Sequence, residues 1–179
     1  GGPMSVNDDE QFIRDEIEWM KKVVESKIPF LGICLGAQIL AKYLGCDVIK
    51  NKNNLAEIGF YEIEPVGEGD KIFKNQNVFY QFHVEGFEIP TGCQLLARGE
   101  AFKNQAFKYK NCYALQFHPE VNFFLHLKWI ILVLIKKPKI LFHAGSQNLF
   151  YQFYLRFKHN KSVSVWLDSF LDNYFLATK

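Results

Sequence analysis

A single cysteine lies between two glycines in the segment FLGICLGAQIL, which spans residues 30–40. An apolar run typical of a short buried strand leads to Cys34, and a helical pattern follows it. A strand, then Gly-x-Cys-x-Gly, then a helix is the order of a nucleophile elbow, a sharp turn that lifts one side chain clear of the sheet. The N-terminus of the following helix favours a thiolate. Cysteine is also a common small core residue, so this segment alone leaves packing and nucleophilic catalysis both open.

A thiol nucleophile needs a base, and the segment ALQFHPE at residues 114–120 offers one. A predicted strand ends at residue 117, and Pro119 interrupts the strand ladder. His118 and Glu120 are two residues apart, so in extended chain both point to the same side. Glu120 can then fix the tautomer of the imidazole, as the third member of a catalytic triad does. Taken alone, the pair favours the simpler interpretation of an exposed histidine at a strand end beside a solvated carboxylate.

A third polar segment, YQFHVEGFEIP at residues 80–90, predicts a strand end followed by a polar turn that holds His83 and Glu85. Such a turn is compatible with the lining of a pocket and with a surface connection. The remaining histidines and cysteines lack a comparable setting, and we expect them to be packing or surface residues: His126, His143, His159, Cys46, Cys93 and Cys112.

The elements that must position these residues follow from the apolar periodicity. A helix is predicted over 7–26, with Asn7 as its cap and Glu10 completing a capping box. A buried strand over 30–33 and a helix over 37–44 flank Cys34. Further strands are predicted over 58–63, 78–82, 94–98, 105–109 and 113–117, and further helices over 123–135 and 162–175. This order predicts an α/β fold with a mixed sheet.

Composition limits the function classes. The chain has 179 residues, a formal charge of +2 and 49% hydrophobic residues, so we expect one domain and no nucleic-acid partner. The longest apolar run, residues 129–135, is too short to span a bilayer, so no membrane partner is expected. The cysteine spacings predict no metal site, and no glycine-rich phosphate motif predicts a cofactor. With no signal-peptide pattern, we expect a cytoplasmic protein with reduced thiols.

Three motifs in the right order resemble a known family. GICLGAQ with QFHPE downstream is similar to a class I glutamine amidotransferase domain, and the opening GGPMSVND is similar to the oxyanion loop of that family. The stretch from FHVEGFEIP to ALQFHPEV resembles the GMP-synthase-like branch, standalone type. The resemblance implies a flavodoxin-like α/β fold, with catalytic motifs in residues 1–120 and a helical C-terminal extension in 121–179 of a single domain.

The resemblance also implies roles for individual residues. Cys34 would be the nucleophile, His118 the general base and acid, and Glu120 the residue that orients it. The oxyanion hole would use the backbone N–H groups of Gly2 and Leu35. The amino-acid end of glutamine would be held by Gln38 and by the main chain around Phe82, His83 and Glu85. Glutamine would be hydrolysed to glutamate and ammonia, and the possible acceptor of the ammonia would be a separate synthetase subunit.

The sequence departs from the family pattern in places. Glu85 stands where aspartate is usual, and Phe82 stands where tryptophan is usual. The strands and helix that normally precede the Gly-Gly-Pro loop are not in the sequence, so we expect an N-terminally truncated domain. Two alternatives therefore stay open: a γ-glutamyl peptide or amide hydrolase with the same triad, and an inactive remnant or interaction module.

Overall fold

A computed structural model describes residues 4–176 of the chain. Gly2, expected to donate to the oxyanion, lies outside the described residues. Five helices and nine strands are assigned within the described part, together with a 3₁₀ turn over Pro138–Phe142 and a π-helical turn over Leu171–Phe175. In chain order they are α1 (Gln11–Ser26), β1 (Phe30–Ile33), α2 (Leu35–Tyr43), β2 (Val48–Lys50), β3 (Glu57–Glu62), β4 (Glu64–Pro65), α3 (Gly69–Ile72), β5 (Val78–His83), β6 (Glu85–Phe87), β7 (Gln94–Arg98), β8 (Ala106–Tyr109), β9 (Cys112–Leu115), α4 (Phe123–Lys136) and α5 (Leu149–Phe170).

The main sheet is mixed and has five strands in the order β1-β9-β8-β7-β4. β1 runs parallel to β9, with Ile33 opposite Leu115, and the other pairs are antiparallel. Two antiparallel pairs, β2 with β6 and β3 with β5, accompany the main sheet. Because β1 and β9 are parallel neighbours in register, the residues that follow their carboxyl ends emerge at the same edge of the sheet.

β9 is buried on both faces, and its alternate residues enter different cores. Cys112 and Ala114 pack with α1 and α2 in one hydrophobic cluster. Tyr113 and Leu115 pack on the opposite face in a second cluster, to which α5 contributes. This alternation follows from the two-residue period of a strand. The catalytic-motif strands therefore lie between two helical layers.

α5 is part of the packed fold along most of its length. Its C-terminal half supplies Val163, Trp166 and Phe170 to the second cluster. Its middle supplies Leu155 to a third cluster, beside Phe60 of β3. Among residues 4–176, no helix combines the length and the apolar character needed to cross a membrane.

Several predicted bounds are wrong. α1 begins at Gln11, and its first turn has no capping side chain among the described residues. The Asn7 side chain instead donates to the Val48 carbonyl at 2.8 Å and accepts from Lys42, so it fastens the N-terminal segment to β2 and α2. α2 begins at Leu35, directly after the cysteine, and α5 begins much earlier than the predicted residue 162, at Leu149, where Asn148 caps it.

The predicted polar turn at residues 83–85 is also wrong. His83 ends β5 and Glu85 begins β6, so the two residues belong to consecutive strands separated by Val84 alone. β6 pairs with β2, a three-residue strand that the sequence did not predict because its apolar pattern is too short.

Candidate active site

Cys34 sits in the turn between β1 and α2, where the backbone is strained. Its φ of 51° and ψ of −105° lie outside the regions that non-glycine residues favour. Its backbone N–H donates to the Leu115 carbonyl at 2.8 Å, which anchors the turn to β9. Backbone strain of this kind costs about 1–3 kcal/mol and persists only where the surroundings enforce it. The geometry is that of a nucleophile elbow.

The two flanking glycines have different reasons to be there. A Cβ at Gly32 would lie 2.6 Å from the Gly36 carbonyl oxygen, so only glycine fits where β1 meets α2. A Cβ at Gly36 would meet nothing within 4 Å. Gly36 therefore serves no close backbone approach and borders open space beside the cysteine.

His118 and Glu120 are brought together as the sequence predicted. His118 Nδ1 lies 2.7 Å from Glu120 Oε1. The His118 ring is 5% exposed, and Trp129 of α4 packs edge-on against it with the centroids 4.9 Å apart. The His118 backbone N–H donates to the Tyr80 carbonyl at 2.8 Å. With Nδ1 directed at the carboxylate, Nε2 remains as the ring nitrogen that can exchange a proton.

The electrostatics of the site favour a charged histidine. Burial lowers the pKa of His118, but the negative charge of a Cys34 thiolate and the hydrogen bonds to Cys34 and Glu120 outweigh burial and raise that pKa to about 9. His118 is then an imidazolium at neutral pH. A thiolate beside an imidazolium is a nucleophile with a proton donor already in contact.

Gln116 is a site residue that the sequence analysis missed. It is fully buried, and its Nε2 donates to Cys34 Sγ at 3.7 Å while its Oε1 accepts from Gln38 Nε2 at 3.3 Å. The one signal in the sequence was its spacing, because Gln116, His118 and Glu120 alternate and lie on one side of extended chain. Gln38 also donates to the Glu85 carbonyl at 3.0 Å. This chain of amides links the cysteine to the predicted substrate segment.

The predicted substrate residues around β5 and β6 divide into two groups. Both ring nitrogens of His83 are engaged by other residues, with Nε2 3.1 Å from Glu57 Oε2 and Nδ1 2.9 Å from the Glu85 carbonyl oxygen. Glu85 accepts a hydrogen bond from the Ser5 hydroxyl at 2.6 Å. Phe82 is half-buried against Trp129, whose ring also covers His118. The structure therefore places Phe82 and Glu85 near the site and gives His83 a buried position beside Glu57.

Leu35 is the first residue of α2, so its backbone N–H has no acceptor within the helix. Such free N–H groups at a helix N-terminus are suited to a developing oxyanion. Its neighbour in sequence is the cysteine itself, which puts this donor beside the reacting sulfur.

A buried arginine stabilises the segment that follows His118 and Glu120. Arg156 of α5 is 1% exposed and donates through Nη1 to the carbonyl of Val121, the residue after Glu120. Its guanidinium lies over the rings of Phe60 and Tyr80. Burial and Arg156 lower the pKa of His126 to about 4, so His126 is neutral and accepts from Arg156 Nε at 3.5 Å. The sequence analysis expected His126 to be a packing or surface residue, and it is fully buried.

The other thiols show no nucleophile geometry. All four cysteines are free, and burial raises the pKa of the Cys46, Cys93 and Cys112 thiols. Within residues 4–176, no cluster of histidine, cysteine and carboxylate side chains has the arrangement to hold a metal ion.

This fold and elbow define a class of protein. The family model for glutamine amidotransferase class-I matches residues 1–128, and the chain belongs to that family. Among solved structures, a glutamine amidotransferase from Thermotoga maritima superposes with a TM-score of 0.84 at 30% identity, covering 96% of this chain and 74% of that one. Another, from Methylobacillus flagellatus, gives a TM-score of 0.81 at 24% identity over 93% of this chain and 70% of that one. The expected flavodoxin-like α/β fold is confirmed.

Curated relatives point to one branch of the family. The glutamine-hydrolysing GMP synthase subunit of Thermococcus kodakarensis is 40% identical over 103 residues, which is 54% of this chain and 53% of the relative. The glutamine-hydrolysing GMP synthase of Bacillus licheniformis is 38% identical over 127 residues, 68% of this chain and 23% of that protein. The resemblance to GMP-synthase-like amidotransferase domains is confirmed, and the chain spans about half the length of the first of these relatives.

Proposed function

We propose that this protein hydrolyses the side-chain amide of glutamine to give glutamate and ammonia. One observation supports this most directly: Cys34 lies in a strained elbow close enough for its charge to raise the pKa of His118, and the Nδ1 atom of His118 is 2.7 Å from Glu120. Family membership supplies the substrate class, and the Thermococcus and Bacillus relatives are both described as glutamine-hydrolysing.

The chemistry follows from the charges of these groups. The Cys34 thiolate attacks the amide carbon of glutamine, and His118 gives its proton to the departing ammonia. The glutamyl thioester remains on Cys34. His118, now neutral, takes a proton from water, and the resulting hydroxide cleaves the thioester to release glutamate. Glu120 holds Nδ1 protonated throughout, so that Nε2 is the nitrogen that exchanges protons.

The oxyanion formed in each step needs backbone donors. We assign this role to the N–H of Leu35 and, from the resemblance, to that of Gly2. One such donor typically lowers the barrier by about 3 kcal/mol. The helix dipole of α2 adds to the favourable potential at the same position.

The amino-acid end of glutamine is assigned to Gln38 and the main chain between Phe82 and Glu85. Gln38 Nε2 already donates to the Glu85 carbonyl and to Gln116, which fixes its side chain at the rear of the site. The His83 ring bonds the same Glu85 carbonyl. We infer that His83 shapes this segment indirectly and does not touch the substrate.

The wider context is also a proposal. We infer one domain over residues 1–179, because α5 of the 121–179 region contributes to two of the three clusters that hold the catalytic strands. The Thermococcus relative is described as one subunit of a GMP synthase, which supports a separate synthetase chain as the acceptor of ammonia. Four free cysteines support a reducing, cytoplasmic location. No cofactor is required by the hydrolysis as written.

Ammonia release from glutamine tests the proposal. The wild-type chain is compared with Cys34→Ala and with Cys46→Ala, a matched variant that removes a free thiol outside the elbow. We expect loss of activity in the first and wild-type activity in the second. An unchanged rate in Cys34→Ala rejects the proposed nucleophile, and no release by the wild type supports an inactive remnant. Faster cleavage of a γ-glutamyl dipeptide than of glutamine supports the γ-glutamyl hydrolase instead.

A further inference from the structure

An apolar surface covers α4, the 3₁₀ turn after it and the first half of α5; we call it the α4–α5 surface. Its five most exposed hydrophobic side chains are between 72% and 92% exposed. These are Phe124, Ile135, Phe142, Phe150 and Phe157. The start of α4 meets α5 through Phe123, whose ring centroid lies 5.7 Å from that of Phe124 and 5.2 Å from that of Phe157.

No residues in the described part of the chain cover this surface. α4 is apolar apart from His126, Lys128 and Lys136, yet only His126 and Ile130 are buried among its residues. A helix that is hydrophobic on every side is ordinarily covered on every side. Contiguous apolar patches of this extent on soluble proteins mark binding surfaces.

The charged residues of the same region are all basic. Residues 121–167 contain six lysines, one arginine and no aspartate or glutamate, whereas the whole chain carries only +2. The remainder of the chain is therefore net negative. Arg156 is buried, so every exposed cation in this region is a lysine. Lys128 lies within α4, and Lys136, Lys137 and Lys139 cluster at its C-terminal end and in the turn, next to exposed hydrophobic residues.

We propose that the α4–α5 surface binds an anionic lipid bilayer peripherally. Apolar side chains mixed with lysines are the composition of interfacial helices, which insert their hydrophobic groups among the acyl chains and keep their ammonium groups at the headgroups. Polybasic segments are attracted to the anionic lipids of the cytoplasmic leaflet. The sequence alone led us to expect no membrane partner, because it showed no spanning segment and did not show which residues are exposed.

The composition of the α4–α5 surface favours a lipid bilayer over two other possible occupants, a partner protein and a second copy of this chain. Protein interfaces are enriched in arginine and depleted in lysine, and all exposed cations here are lysines. A second copy would bring the same positive charges against themselves. The patch is spread over a helix, a turn and part of a second helix, and a fluid bilayer accommodates such a contour without a complementary shape. α4 has 14 residues, about 21 Å of helix, and lies in the interface instead of crossing a core of about 30 Å.

Vesicle flotation of the full chain tests the proposal. One set of vesicles contains phosphatidylcholine alone, and the other contains phosphatidylcholine with about 30% phosphatidylserine, a strongly anionic mixture. We expect at least tenfold tighter binding to the anionic set, weakened by added salt because the attraction is screened. Absence of binding, or equal binding to both sets, overturns the proposal.

Charge variants locate the surface. Lys136→Gln/Lys137→Gln/Lys139→Gln is expected to weaken binding to anionic vesicles about tenfold or more. The matched control Lys21→Gln/Lys22→Gln/Lys52→Gln removes the same charge from exposed positions elsewhere and is expected to bind as the wild type does. Equal effects of the two triple variants mean a nonspecific charge effect and overturn the assignment.

Variants of exposed hydrophobic residues test whether their insertion contributes to vesicle binding. Ile135→Ser/Phe150→Ser is expected to abolish stable binding, and the control Phe12→Ser/Ile28→Ser, at exposed positions on and beside α1, is expected to retain it. Light scattering in the absence of lipid gives the oligomeric state. A dimer that only the Ile135→Ser/Phe150→Ser variant dissociates, without vesicle binding, identifies a second copy as the occupant. Capture by immobilised polyglutamate without vesicle binding identifies an acidic protein. Either result overturns the lipid proposal.

Discussion

Replacement of Glu120 by glutamine keeps the shape of the side chain and removes its charge from His118. Hydrogen bonds to charged groups contribute about 1.5–3 kcal/mol, and one pKa unit corresponds to about 1.4 kcal/mol. Because the Glu120 side chain is 36% exposed, water screens its interaction with His118, and the lower value of about 1.5 kcal/mol applies. We therefore expect Glu120→Gln to lower the pKa of His118 from about 9 to about 8.

The sign of the effect on activity follows from the role of His118 as the acid that protonates the leaving amide nitrogen, which then departs as ammonia. Activity falls as pH rises through the pKa of His118, so the alkaline limb of the kcat/KM profile for ammonia release moves down by about one unit in the variant. NMR titration of the His118 ring gives the pKa independently. Glu62→Gln, which alters an exposed carboxylate distant in sequence from the site, is the control and keeps the wild-type limb. An unchanged or raised pKa of His118 in Glu120→Gln refutes the assigned role of the carboxylate.

Three further sets of variants test individual contacts. Gln116→Leu removes the donor to Cys34 Sγ and is expected to reduce kcat/KM about tenfold to a hundredfold with the fold intact by circular dichroism; a rate within twofold of wild type contradicts this role. Gly32→Ala is expected to prevent correct folding, whereas Gly36→Ala folds normally, and equal melting temperatures for the two would refute the steric reasoning. Burial keeps His126 neutral, with a pKa of about 4 in the folded protein against 6.5 when exposed. The neutral ring therefore makes its full contribution to the free energy of unfolding above pH 6.5. Up to about 3 kcal/mol of that free energy is lost as the pH falls from 6.5 through 4. Urea unfolding of wild type and His126→Gln at pH 7 and pH 4.5 measures it, and parallel pH slopes would show that His126 does not titrate this way.

The sequence predicted the elements whose patterns are local. β1 was placed at its observed bounds because a four-residue apolar run follows a proline and ends at a glycine-flanked cysteine. The start of α5 was missed because its first turns carry apolar residues on the solvent side, including Phe150, so no amphipathic period marks them. The predicted cap of α1 was wrong because the Asn7 side chain bonds a strand and a helix that are distant in sequence.

In the candidate site, too, the residues in short local motifs could be predicted from the sequence, and the long-range contacts could not. Cys34, His118 and Glu120 could be selected because their motifs are short and their side chains do the chemistry. The contribution of Gln116 depends on a 3.7 Å approach between residues 82 positions apart, which no local pattern indicates. The buried contact of His83 depends on Glu57 of a different strand. Long-range partners of polar side chains were thus the part that required the structure.

Covalent trapping of the nucleophile tests the central claim most directly. The full chain is incubated with a diazoketone analogue of glutamine, digested and examined by mass spectrometry. We expect one label per chain, on Cys34, with glutamine protecting against labelling and Cys34→Ala taking up none. A label on Cys46, Cys93 or Cys112, or labelling that glutamine does not slow, would contradict the assignment of Cys34 as the nucleophile of a glutamine-binding site.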